Sequence, residues 1–433
     1  MLTAEVKLWG RSIGAVALAD GDRTASFEYD PKFAKSGIQV AKLMMPLGRQ
    51  IYRFPELSFE SFKGLPGMLA DSLPDKFGNA LINAWLAEQG RTPESFSSIE
   101  RLCYLGSRGM GALEFAPAIG RRPKASKRLE IDSLVKLASE ILSRQKSLRT
   151  SLADRAHDEA MKDILLVGTS AGGARAKAVI AMNDKTREIR SGQVEAGEGF
   201  GYWIIKFDGV DNNRDKEAAD KKGYGAIEYA YHLMAKAAGI SMTECRLLPD
   251  NDRRHFMTRR FDRTASGEKL HMQSLGALQH LDFNVPGAHS YEQAFQTIQL
   301  FRLPAISSEE MYRRMVFNIV ARNQDDHVKN ISFLMNKEGT WSLSPAYDIM
   351  YSYNPGGKHT NLHQMTMNGR RDGFTLADFS ASAQVANLKQ GRETVILREV
   401  IEAVSEWEKF AAQAEVPAAK ASSIKAAHRL AFS

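Results

Sequence analysis

The hydrophobic period changes along this chain, and that change limits the folds open to it. From Glu5 to Phe54, short runs such as VKLWG, GAVALA and TASFEY are separated by turns containing Gly and Asp, a strand pattern. Over Leu65–Gly90, LPGMLADSLPDKFGNALINAWLAEQG places apolar residues at helical spacing and stops on Gly. RRPKASK at Arg121–Lys127 reads as a linker, and Leu129–Ser147 as an amphipathic helix. GYWIIKFD (Gly201–Asp208) and HFMTRRF (His255–Phe261) are strand-like, with a helix over Ala226–Ala238 between them that Gly239 ends. Beyond about Leu270 helical spacing dominates, broken by the polar run Arg322–Asn330 and a strand–turn segment over Leu334–Tyr353. The expectation is an α+β chain with a strand-rich front, a small α/β middle and a helical back. The boundaries are expected at 1–125, 126–264 and 265–433.

With 433 residues, 43% hydrophobic and 25% charged, the chain can build two or three cores. Its two cysteines, Cys103 and Cys245, belong to no CxxC or Cys/His cluster, so neither a disulfide framework nor a zinc site is expected. The start MLTAEVKLWG lacks the layout of a signal peptide, and no apolar run approaches the ~18–20 residues that span a bilayer. A soluble protein of a reducing cytoplasm, with no membrane partner, is expected. The net charge of +7 is spread along the chain rather than gathered in a Lys/Arg block. That argues against sequence-specific DNA reading by this chain alone and for a basic face that assists a partner on DNA.

Three motifs carry chemistry. The stretch Ile164–Ile180, ILLVGTSAGGARAKAVI, tests as a phosphate-binding GxxxxGK[ST] loop and fails. Counting from Gly168, Gly173 takes the second glycine place, but Ala174 sits where the lysine must be. A glycine turn between strands remains, with hydroxyls at Thr169 and Ser170 and a charge at Lys177. The second motif is RNQDDHVKN at Arg322–Asn330, followed by Tyr347–Asp348 in LSPAYDIM. Asp325 and Asn330 have the spacing of a kinase catalytic loop, an Asp with an Asn five residues later, and Asp348 suits a downstream ligand for Mg²⁺. A plain polar surface loop fits the same residues. Third, Lys206 stands alone in an apolar strand, where a buried ammonium is costly without a partner, and Glu228 follows about twenty residues on. They read as a kinase Lys–Glu pair or as an edge lysine reaching water beside a solvated glutamate. His327 either contacts phosphate or braces its loop, and Cys245 reads as a core residue.

Taken in order, Ser170 in GTSAGGARAK, Lys206 in WIIKFD, Glu228, RRFDR at Arg259–Arg263, NQDDHVKN and SPAYD resemble the HipA family, serine/threonine kinases that act as toxins of type II toxin–antitoxin modules. LWGRSIGAV, LPDKFGNALINAWL and YLGSRGMGALEFAP resemble the amino-terminal domain of such proteins, and MTMNGRRDGF also fits. The resemblance implies a phosphatidylinositol-kinase-like version of the protein-kinase fold with an all-helical C-terminal lobe, and ATP and Mg²⁺ as cofactors. By that carry-over Asp325 is the catalytic base, and Asn330 and Asp348 hold Mg²⁺. Lys206, braced by Glu228, contacts the ATP phosphates, with Gly172, Gly173, Lys177 and His327 also at the nucleotide. Backbone near Phe261 meets adenine, and Asp262 lies beside the ribose. Ser170 becomes an autophosphorylation site that shuts the kinase off, because a dianionic group in this loop cannot share a pocket with ATP phosphates. The implied partners are a HipB-like helix-turn-helix antitoxin, operator DNA through the antitoxin complex, and a protein substrate of the translation machinery. Arg175, Ala176 and Arg259 depart from the best-known members. A catalytically idle ATP-binding co-repressor and a kinase of small molecules are the alternative readings.

Overall fold

The structure is a computed structural model that describes residues 1–119, 128–143, 164–165, 167–168, 175–193, 195–210, 222–264 and 266–433. It divides into two compact units. Unit 1 comprises Met1–Lys222, Leu248–Gln273 and Met335–Gly339, and unit 2 the remainder, Gly223–Leu247, Ser274–Leu334 and Thr340–Ser433.

Unit 1 contains two antiparallel sheets. Strands β1 (Leu2–Leu8), β2 (Arg11–Leu18), β3 (Ser26–Tyr29) and, after a helical stretch, β4 (Leu113–Ala116) form the first in the order β3-β2-β1-β4. Alternation explains β1, where Ala4, Val6 and Leu8 are buried, while in β2 a register shift opposite Val6 and Lys7 lets both Ile13 and Val16 be buried. The two longest of the intervening helices are α1 (Lys76–Glu88) and α2 (Ser98–Leu105). Asp75 caps α1 by accepting from Gly78 N–H at 2.6 Å, and Ser97 with Glu100 builds a reciprocal capping box on α2. Helix α3 (Ile131–Ser143) follows. The second sheet comprises β5 (Lys177–Asn183), β6 (Ile189–Ser191), β7 (Phe200–Lys206), β8 (Cys245–Asp250), in which the chain passes from unit 2 to unit 1, and β9 (Arg253–Arg259), in the order β6-β5-β7-β9-β8. Phe77, Leu81 and Ala84 of α1 share one core with Leu134, Ala138 and Ile141 of α3 and with Ile180, Trp203 and Ile205 of the second sheet. The front of the chain and this sheet therefore bury apolar surface together.

Unit 2 is mainly helical. It contains α4 (Tyr224–Ala237), α5 (Tyr291–Leu300), α6 (Ala305–Val320), α7 (Leu376–Val385), α8 (Arg392–Ser405), α9 (Trp407–Gln413) and α10 (Ala418–Ala427). Helix α6 is its centre, with Met311, Tyr312, Met315, Val316, Phe317 and Val320 almost wholly buried. An all-helical back is not what forms. After β10 (His271–Ser274), in which the chain passes from unit 1 to unit 2, Ser332–Met335 (β11) pairs with Trp341–Leu343 (β12). The run SFLM is buried at all four residues, which suits a short core strand better than one face of a helix. No helix among the described residues is long and apolar enough to cross a membrane.

Gly111 shows how tightly unit 1 is set. Its φ is +73°, and an added Cβ would lie 2.9 Å from the backbone nitrogen of Met272, whereas a Cβ on Gly109 would meet nothing within 4 Å. Gly111→Ala is expected to lower stability by about 1–3 kcal/mol, from left-handed strain and the close contact. Gly109→Ala is the control with little effect. Chemical denaturation of the two variants checks this, and equal stabilities would contradict it.

Candidate active site

The polar run after α6 is shaped by the residue that starts it. Arg322 adopts φ +59°, which turns the chain out of the helix. Its guanidinium stacks 4.2 Å over the Tyr353 ring and donates to the Ala427 carbonyl at 2.9 Å, fixing the start of the loop. Asn323 is buried, and its side-chain amide donates to Asn318 Oδ1 at 3.0 Å. After Gln324 come two aspartates, and they face opposite surroundings.

Asp325 has half of its side chain exposed, while Asp326 next to it is fully buried. The Asp326 carboxylate accepts from Tyr291 Oη at 2.6 Å, His363 Nδ1 at 2.8 Å and the Gln364 N–H at 2.7 Å. Burial by itself would raise the Asp326 pKa, but the His363 ring and the other donors hold it below the ordinary carboxylate value. The phenol of Tyr291, buried against this carboxylate, is pushed well above its usual value.

A single helical turn over Val328–Asn330 closes the loop, with Asn330 N–H donating to the His327 carbonyl at 2.8 Å. The Asn330 side chain reaches back, and its Nδ2 donates to the Asp325 backbone carbonyl at 2.9 Å. That bond commits the nitrogen, so a metal here would meet Oδ1, a hard oxygen of the kind Mg²⁺ takes. His327 Nε2 stands 4.0 Å from Asp325 Oδ1, and the imidazole packs against Phe283 with centroids 5.8 Å apart. The turn is pinned from the downstream motif: Tyr347 Oη donates to the Lys329 carbonyl at 2.6 Å and lies 2.6 Å from Ser332 Oγ. Asp348 follows at φ +56°, a left-handed conformation uncommon for a non-glycine residue. The 322–330 loop and the segment that carries Asp348 are thus tied together through adjacent residues.

Among the described residues, no group of three or more His, Cys, Asp or Glu side chains is arranged to hold a metal. Asn330 Oδ1 and Asp348 nevertheless fit Mg²⁺, which keeps several waters and takes only one or two protein carboxylates when phosphates supply other ligands. The fit lies in the chemistry of these two donors and in the committed Asn330 nitrogen.

In unit 1, Lys206 ends β7 directly opposite Lys177 of β5, and its ammonium lies 5.7 Å from the Phe256 ring centroid. Two ammonium groups on one sheet face repel unless one is neutralised. Lys177 is 2% exposed, and its Nζ lies 3.2 Å from Asp75 Oδ2, the carboxylate whose other oxygen caps α1. Lys177 is therefore the foot of β5, paired with Asp75. Asp262 also departs from its expected place beside a ribose. Fully buried, it accepts from Arg260 Nε and Nη2 at 2.9 and 2.7 Å, Arg263 Nη1 at 2.8 Å and the Gly111 N–H at 2.7 Å. Burial would raise its pKa, yet the two arginines hold it far below the ordinary carboxylate range, while burial lowers Arg263 to about 10. This carboxylate has no face left for a sugar, and it ties the RRFDR segment to Gly111. Phe261 sits between these arginines, and Glu228 is buried in α4 of unit 2. Ser170, Gly172 and Gly173 lie outside the described residues.

Two family descriptions match the chain: "HipA-like C-terminal domain" over residues 169–408 and "HipA N-terminal domain" over residues 4–116. The chain belongs to the HipA family. The Shewanella oneidensis MR-1 toxin–antitoxin HipA, HipB and operator DNA complex contains a chain 16% identical to this one. The TM-score is 0.67, and the match covers 98% of this chain and 94% of that one. The likeness shows a shared fold, the protein-kinase-like fold of HipA. The Helicobacter pylori proinflammatory kinase CtkA is 11% identical with a TM-score of 0.30, covering 50% of this chain and 91% of that chain, too slight to bear on the fold. No curated protein matches the chain.

Sequence reasoning missed Asp326, His363, Tyr291 and Asp75. The Asp-Asp pair marked the position of Asp326 but not its burial, and nothing in NLHQM marks His363. Asp262→Asn tests the buried cluster. Removing one partner of a buried ion pair leaves charge unpaired and is expected to cost about 3–5 kcal/mol in urea denaturation. Because its folded pKa is depressed, wild-type Asp262 contributes stability above the unfolded carboxylate value near 3.8 and loses it as pH falls through the lower folded value. The variant should lose that part of the acid dependence. A stability within about 1 kcal/mol of wild type would contradict the assignment.

Proposed function

We propose that this HipA-family chain is an ATP- and Mg²⁺-dependent serine/threonine protein kinase, the toxin of a toxin–antitoxin module. The observation that carries the reading is the Asn330 side chain bonded to the Asp325 carbonyl while the Asp325 carboxylate stays half exposed. The bond sets a proton acceptor and a metal-ligand oxygen from one short loop in fixed relation. A polar surface loop has no need of that arrangement.

Asp325 accepts or orients the proton of the acceptor hydroxyl. Asn330 Oδ1 and Asp348 are the protein's ligands for Mg²⁺, which when bound neutralises charge on the ATP phosphates. Lys206 binds phosphate oxygens, and the Asp75 carboxylate keeps Lys177 from competing with it electrostatically. His327 orients the loop beside Asp325. Backbone near Phe261 takes the adenine, and Asp262 acts only through the segment it ties down. Most of the rate comes from positioning and charge neutralisation, as phosphoryl transfer requires. Ser170, with Gly172 and Gly173, belongs to a loop over the nucleotide phosphates, and its phosphorylation turns the kinase off. A HipB-like antitoxin carries the chain to operator DNA, where the net charge of +7 favours approach to phosphates. The substrate is a protein of the translation machinery.

Transfer of labelled γ-phosphate from ATP to protein is the test. Wild type with Mg²⁺ is expected to label Ser170 and a lysate protein, and chelation of the metal is expected to abolish labelling. Asp325→Asn should reduce the rate by about 100-fold or more. Equal labelling by wild type and Asp325→Asn would remove the assigned base, and label appearing only in a small metabolite would replace the protein substrate.

A further inference from the structure

The segment following Asp348 has no helix or strand between Ile349 and Thr375, only isolated bridges, yet His363, Gln364, Met365 and Met367 within it are buried. Its order comes from specific bonds within unit 2. Asp326 takes the His363 ring and the Gln364 N–H. On the far side, Gly287 N–H donates to the Gln364 carbonyl at 2.8 Å and Thr366 N–H to the His289 carbonyl at 2.9 Å. Tyr291 N–H, at the start of α5, donates to the Thr366 carbonyl at 3.0 Å. Tyr291 also closes the network through its side chain, giving its proton to Asp326 and accepting from Asn318 Nδ2 at 2.9 Å. Asn318 in turn holds Asn323 of the catalytic loop.

Resting on the kinase reading above, we propose that Asp326 is a positioning residue whose clamp on His363 and Gln364 holds the 359–368 segment and the catalytic loop in working register without a phosphate. In many kinases the corresponding order is switched on when a phosphorylated side chain in the segment meets an arginine. Here the anion is built into the catalytic loop as a buried carboxylate, and the donors come from the segment. The adjacency to Asp325 gives the clamp its leverage. Asp326 cannot leave its three donors without turning the peptide that carries the Asp325 side chain and without leaving those donors buried and unpaired.

The test uses the full chain with the substitutions Asp326→Asn and His363→Gln, singly and together. Asp326→Asn places an amide N–H₂ against at least one existing donor, whereas His363→Gln keeps the carboxylate with Tyr291 and Gln364 and guards against a variant that fails to fold. The expected results are a fall in kcat of about 10- to 100-fold for Asp326→Asn with KM for Mg-ATP within about twofold, and a smaller fall for His363→Gln. The double variant should lose little more than Asp326→Asn alone, as partners in one network do. Amide hydrogen exchange should rise in residues 359–368. Phosphatase-treated wild type whose mass spectrum shows no phosphate between residues 349 and 375 should lose none of its rate, and any phosphate removed from Ser170 can only raise it.

Unchanged kcat per folded molecule, with only a lower melting temperature, would overturn the positioning role. Loss of activity on removal of a phosphate from residues 349–375 would overturn the phosphate-free clamp. If wild type transfers no phosphate at all, it is the kinase reading that fails, and unchanged exchange at 359–368 in Asp326→Asn would separately overturn the clamp.

Discussion

Two neighbouring carboxylates with opposite fates organise the loop over Arg322–Asn330. Asp326 is wholly buried and accepts three hydrogen bonds, while Asp325 is half exposed. A buried carboxylate is tolerable only when its oxygens are satisfied, so Asp326 dictates where Tyr291, His363 and Gln364 lie. With that residue fixed, the adjoining peptide presents Asp325 outward. The Asn330 amide then locks the other end of the turn to the Asp325 carbonyl, and Tyr347 holds the carbonyl of Lys329.

The same rule governs unit 1. Asp262 collects two arginines and a glycine N–H in the interior, and Asp75 both caps α1 and meets Lys177 at the foot of β5. In each case a carboxylate joins segments far apart in sequence. The apolar core shared by α1, α3, β5 and β7 supplies the bulk of the burial, and these charged ties fix the register within it.

Periodicity made much of this legible. The alternating runs at the front became β1 to β3, WIIK became the end of β7, and the apolar spacing after Leu65 became α1 stopped near Gly90. The loop Asp325–Asn330 and the downstream Asp348 stand out as candidates because their spacing is itself the signal. What sequence could not supply was direction. Nothing in DDHVKN says that the first aspartate faces out and the second in, since that depends on His363 and Tyr291, 37 and 35 positions away. Likewise a charge at Lys177 or Asp262 reads as a ligand contact until its protein partner is seen. The strands β11 and β12 contradict the all-helical lobe that the resemblance implied, although β12 falls within the strand–turn segment read over Leu334–Tyr353.

The short loop from Asp325 to Asn330, with Asp348, is proposed as the phosphoryl-transfer centre. A crystal structure of the full chain with Mg²⁺ and a non-hydrolysable ATP analogue is the sharpest test. A metal ion ligated by Asn330 Oδ1 and the Asp348 carboxylate is expected, with the terminal phosphate facing Asp325 and the Asn330–Asp325 bond kept. A nucleotide and metal bound away from these three residues would contradict it.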